Sequence, residues 1–109
     1  MKILITENQL RKVQFKFLNY LFDDIYEVEL NEYPDNRFWK KDNRVVLELD
    51  KSGNLLVSLS IWGDISNMFS LDYDETQQLI KDWMEQHLEL KGITPVMAWV
   101  SNEEWWKNI

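Results

Sequence analysis

The chain has 109 residues, 12 Lys+Arg against 19 Asp+Glu, and a formal net charge of −7. This length suits one domain with one core, and the charge opposes net attraction to phosphate backbones or anionic membranes. With no Cys and a single histidine, His87, the sequence excludes disulfides, thiolate metal sites, Cys nucleophiles and multi-histidine metal sites within one chain.

The opening Lys2–Ile5 is short and apolar, as for a strand. Three consecutive apolar residues are too few for a signal peptide. No apolar run reaches the ~18 residues of a membrane span. A cytoplasmic location is therefore expected, in the host cell if the protein is viral. Thr6 and Gln9 fit a helix-capping box, with Ile5 and Leu10 as its hydrophobic staple. The helix that follows is expected over about 6–25. At ~100° per residue, Lys12, Lys16, Asn19 and Asp23 make a narrow polar face. Leu10, Val13, Phe17, Leu18, Tyr20, Leu21 and Phe22 cover most of the rest. That apolar arc is wider than a one-sided surface helix requires. The helix either sits between two layers or gives one flank to a partner.

Tyr26–Leu30 alternates apolar and acidic residues, the period of a half-buried strand. Tyr33-Pro34-Asp35-Asn36 is turn chemistry. Arg37–Asn43 reads as an exposed connection carrying Phe38 and Trp39. Arg44–Asp50 and Leu55–Ile61 are the clearest strands, closed into a hairpin by Asp50–Asn54 with Gly53 in the left-handed position. Val46 and Leu56 suggest a partly covered second sheet face. A short helix is expected over about 62–70. A longer one follows over about 72–90, with Asp72 as N-cap, Glu75 completing a capping box, and an end near Gly92. His87 falls within its apolar arc and reads as a packing residue. Ile93–Val100 is extended, with Pro95 favouring a sheet edge. Ser101–Glu104 is a third capping box, leading into Trp105 and Trp106.

The resulting expectation is an α+β fold: a small, mainly antiparallel sheet on the 44–61 hairpin, packed by two longer helices and the short one. Residues 1–109 form one domain, with 93–109 as a C-terminal extension ending in the Trp-rich segment. No serine lies in a nucleophile motif, and the adjacent pairs Asp23-Asp24 and Glu103-Glu104 diverge by ~100° on a helix, so no catalytic residue is assigned. No cofactor or metal is expected. Asp72-x-Asp74-x-Thr76 opens like a calcium loop, but Gln77 and Trp83 stand where Gly and Glu are needed.

Six Trp in so short a chain are hard to satisfy internally, since each buried indole N–H needs an acceptor. Phe38, Trp39, Trp99, Trp105 and Trp106 are accordingly the candidate partner-binding residues. The expected partner is a protein or a second copy of this chain, met through the C-terminal aromatics or the broad face of the first helix. Neither direct nucleic-acid binding nor membrane binding is expected. The alternative reading takes Asp74, Glu75, Asp82, Glu85 and Glu89 as an acidic stripe that imitates DNA and occupies a basic protein's groove. The same stripe also serves as the solvated side of an amphipathic helix. A further alternative is a small enzyme with no recognisable motif.

Two segments carry a resemblance: Met1-Lys2-Ile3-Leu4-Ile5-Thr6-Glu7-x-Gln9, and Trp62-x-Asp64-Ile65-Ser66-Asn67-Met68-Phe69. The chain resembles short proteins of marine tailed phages over about twenty residues. That resemblance implies a small accessory phage protein and supplies neither an activity nor functional residues.

Overall fold

A computed structural model describes residues 7–31 and 33–98. The elements run α1 (Glu7–Phe22), β1 (Tyr26–Val28), β2 (Arg37–Lys41), β3 (Arg44–Leu49), β4 (Asn54–Ser58), α2 (Leu59–Phe69), α3 (Tyr73–His87) and β5 (Thr94–Ala98). The expected α+β fold with a mostly antiparallel sheet is what forms. Lys2–Ile5, the Thr6 capping box with its Ile5 staple, the Ser101–Glu104 box, Trp99, Trp105 and Trp106 lie outside the described residues.

The β3–β4 hairpin turns on Asp50, whose Oδ1 accepts the backbone N–H groups of Ser52 and Asn54, each at 2.9 Å. Bonding to the Asn54 N–H, foremost, holds the Asp50 carboxyl below its ordinary pKa. Gly53 has φ +92°, and a Cβ there would stand 3.2 Å from the Gly92 carbonyl. The Gly53 carbonyl in turn accepts the Thr94 N–H at 2.8 Å, so the turn also anchors the start of β5.

The strands lie in the order β1-β2-β3-β4-β5, antiparallel except for the parallel β4–β5 pair. β5 forms one edge, the place Pro95 favours. Residues 37–43 are not an exposed connection: they form β2 and the turn of a second hairpin. Asp42 and Asn43 sit at φ 51° and 66°, the paired left-handed conformation that a two-residue hairpin turn requires and that Asp and Asn tolerate. A register shift between Trp39 and Lys40 leaves Val46 as the extra residue of β3 and brings it onto the same side as Leu47.

All three helices lie on one sheet face. Leu18, Leu21 and Phe22 of α1, Ile61, Trp62 and Ile65 of α2, and Leu79, Ile80, Trp83 and Met84 of α3 pack with Trp39, Leu47, Leu55 and Val57. Each fully buried side chain of this kind contributes about 1.5–3 kcal/mol. On the other face Phe38 and Val45 are covered by Val28 and Leu30. Tyr33 meets Phe38 edge-on at 6.2 Å, and Asn36 Nδ2 donates to Glu48 at 2.9 Å. The partial cover of the second face is thus supplied by the β1–β2 segment. Val46, offered as its sign, lies on the helix side.

β4 ends at Ser58, and α2 begins at Leu59 rather than at 62. Leu59 and Ile61 continue the period of β4, but Ile61, Trp62 and Ile65 also define a helical face, and that face is the one buried. Ser70, at φ 52°, ends α2 in a Schellman motif, with the Leu71 N–H on the Ser66 carbonyl at 2.9 Å. The Asp72–Glu75 capping box forms, with bonds of 2.8 and 3.1 Å. The Ser66 and Thr76 hydroxyls join α2 to α3 at 2.8 Å. The left-handed residue that ends α3 is Glu89, at φ 55°, three positions before Gly92. The Lys41 Nζ caps the end of α1, reaching the Leu21 carbonyl at 2.6 Å and Asp24 at 3.1 Å.

Candidate functional site

Two of the residues expected to meet a partner are core residues. Phe38 is fully buried and Trp39 is 4% exposed. The cause is the second hairpin: adjacent strand residues point to opposite faces, and here each face has its own cover. The cations around them also have internal partners. Arg37 lies over the Trp39 ring at 5.0 Å and forms a fork to Glu27 with bonds of 2.8 and 2.9 Å. That fork, through its hydrogen bonds foremost, lowers the Glu27 carboxyl pKa. Lys41 is held by α1.

The acidic stripe is broken by its neighbours. Glu75 is bound into the capping box. Asp82 accepts from Gln78 Nε2 at 2.7 Å and lies 3.4 Å from Arg11 of α1. Asp74 and Glu89 are exposed and Glu85 is half-buried, with Glu89 beyond the helix end. His87 is exposed rather than buried. Its ring stacks on Trp83 at 4.6 Å and meets Phe15 edge-on at 5.6 Å. Its Nδ1 lies 3.2 Å from the Trp83 carbonyl.

The surface that does stand out is on α1. The core fully buries Gln14, Leu18, Leu21 and Phe22 of this helix, and Phe15 and Phe17 pack against it half-buried. The other half of its broad apolar arc faces outward: Leu10 is 41% exposed, Val13 50% and Tyr20 72%, with Phe17 half-buried among them. These four recur at steps of three, four and three residues, so they form one seam on one side of the helix. Phe17 holds the seam to the body. Its ring meets Phe69 of α2 edge-on at 5.7 Å and stacks with Tyr20 at 6.5 Å. Met68, 56% exposed, adds a further apolar side chain on α2.

The seam was legible as an arc too wide for a surface helix. Which half would stay outside depended on where α2 and α3 lie.

Among the described residues no His, Asp or Glu cluster is placed to hold a metal ion, and no helix is long and apolar enough to cross a membrane. No family model, curated protein or solved structure matches the chain.

Proposed function

We propose that this chain is a non-catalytic interaction module that pairs with a second copy of itself through the α1 seam. The observation that carries the reading is the row of Leu10, Val13 and Tyr20, exposed on one side of α1 around the half-buried Phe17. Exposed apolar side chains are ordinary when scattered, but a contiguous row marks a contact surface.

A second copy fits because the row complements itself. In an antiparallel pair about its centre, Leu10 faces Tyr20 of the second copy and Val13 faces Phe17. Each ring then opposes a smaller aliphatic side chain, as interdigitating layers require. The seam spans eleven residues, about 15 Å of helix. Its outer flank carries Gln9, Lys16 and Asp23, whose formal charges cancel. A contact this small belongs at the low end of specific interfaces, below about 1,200 Å² in total, and should be reversible. The accessory role implied by the phage-like opening is compatible with such a module.

The test is sedimentation equilibrium across a wide protein concentration range. The expected result is a monomer–dimer equilibrium that Val13→Asp/Tyr20→Asp abolishes while circular dichroism shows a folded chain. Trp105→Ala/Trp106→Ala should leave the equilibrium unchanged. A wild-type chain that stays monomeric at millimolar concentration, or pairing lost only in the Trp variant, would overturn the reading.

A further inference from the structure

A groove of about 540 Å³ lies between α1 and α3, lined by Asn8, Arg11, Lys12, Phe15, Lys16, Asn19, Gln86 and His87. Three of these are cations and none is a carboxylate, in a chain where acidic residues outnumber basic ones. Three other grooves on the molecule each include two carboxylates: Glu27 and Glu29, Asp42 and Asp64, or Glu7 and Glu75. The α1–α3 groove is therefore lined by cations in an otherwise acidic chain.

Its lysines are available to a ligand. Lys12 and Lys16 are exposed and have no ion-pair partner among the described residues, unlike Lys41 and Arg37. Arg11 lies 3.4 Å from Asp82, and its Nη1 is buried without a hydrogen-bond acceptor. The guanidinium is held above Phe15 at 5.9 Å, so it adds charge to the groove from a fixed position. The Asn19 Oδ1 accepts the Trp83 indole N–H at 2.8 Å, which fixes the carboxamide and leaves its NH₂ as the free end.

We infer that this groove binds a small polyanion carrying two or more phosphate groups, with Arg11, Lys12 and Lys16 as the charge partners and the Asn19 amide as a neutral donor. Guanidinium and ammonium groups around a concave wall suit clustered phosphate oxygens. The ligand must be compact. Arg11 to Lys16 spans about 7.5 Å of α1, the reach of a short phosphate chain. The exposed His87 ring offers a surface on which an attached aromatic base could rest.

The test titrates ¹⁵N-labelled full-length protein with inorganic tripolyphosphate at low salt, followed by NMR and by calorimetry. The Asn8, Asn19 and Gln86 side-chain amides and the His87 ring should shift together. Arg11→Gln and Lys12→Gln/Lys16→Gln should each weaken binding at least tenfold, while Lys51→Gln and Lys91→Gln, which remove exposed charges elsewhere, should not. A second arm compares adenosine triphosphate with tripolyphosphate: tighter binding of the nucleotide assigns the ring contact, and equal binding assigns the phosphates alone. Absence of shifts at millimolar tripolyphosphate, equal losses in the control variants, or tighter binding of a twenty-nucleotide single strand than of tripolyphosphate would overturn the inference.

Discussion

Trp83 joins α3 to α1, and its truncation gives a sharp test of the packing. The side chain is 4% exposed, its indole N–H donates to Asn19 Oδ1 at 2.8 Å, and its ring lies 4.9 Å from Phe22 and 4.6 Å from His87. Trp83→Ala removes the whole indole and should cost about 3–5 kcal/mol. That is a large share of the ~5–15 kcal/mol that holds a domain of this size. Trp83→Phe keeps a ring in place and loses the hydrogen bond with a small volume, so about 1–2 kcal/mol is expected. Asn19→Ala strands the indole N–H and should cost about 1 kcal/mol or more. The double variant Trp83→Phe/Asn19→Ala should then cost less than the sum, with a coupling of about 1 kcal/mol. Urea titration followed by far-ultraviolet circular dichroism measures all four, and 1 kcal/mol corresponds to roughly 4–8 °C in Tm at this length. A Trp83→Ala cost below 1 kcal/mol would refute the placement of α3 in the core, and strict additivity would refute the bond to Asn19.

Glu89→Gly should stabilise the chain. The left-handed φ of 55° costs a side chain about 1–2 kcal/mol, and the added freedom of unfolded glycine returns about half of that. A net gain of about 0.5–1 kcal/mol is expected in the same urea titration, and a loss would show that Glu89 makes a contact worth more than the strain. Stability should also fall in acid. Asp50 and Glu27 have folded pKa values below their unfolded ones, so their contribution is full above the unfolded pKa, ~4, and is lost as pH drops through the folded values. Glu27→Gln/Asp50→Asn should flatten the pH dependence below about 4.5. The Glu27 pair accounts for no more than about 1 kcal/mol of it, since its side chain is 43% exposed. An unchanged slope in the double variant would assign the acid response to other carboxylates.

Local signals that depend on a few neighbouring residues were readable directly. The Asp72–Glu75 box, the Asp50–Asn54 turn and the edge position of Pro95 each rest on chemistry within five residues. Signals that depend on what lies across the fold were not. Phe38 and Trp39 are adjacent aromatics among cations, which locally reads as an exposed loop. Their burial follows from α-helices on one sheet face and the β1–β2 segment on the other, and no stretch of sequence near them states that. Leu59 and Ile61 fit strand and helix spacing equally, so the α2 boundary was set by packing. Glu89 ends α3 because the Leu88 and Leu90 N–H groups both return to the Met84 carbonyl at 3.0 and 3.2 Å, a geometry a glycine search does not find.

The two faces of α1 separate core from interface within one helix. The sheet offers one face to three helices, and α1 meets α2 and α3 along one side, so its buried residues are Gln14, Leu18, Leu21 and Phe22, with Phe15 and Phe17 at the margin. A helix that served only this core could carry polar residues at 10, 13 and 20. Placing Asp at Val13 or Tyr20 should therefore change monomer stability by no more than about 0.5 kcal/mol, the range of ordinary surface substitutions. Placing Asp at Leu18, which is fully buried, should cost more than about 4 kcal/mol through the uncompensated charge. Urea titration at micromolar concentration, where a weak dimer is dissociated, isolates the monomer term. If Val13→Asp and Tyr20→Asp destabilise the monomer as Leu18→Asp does, the seam is core, and the argument for pairing through it fails. If they leave the monomer unchanged yet remove association at high concentration, the apolar row serves the contact alone.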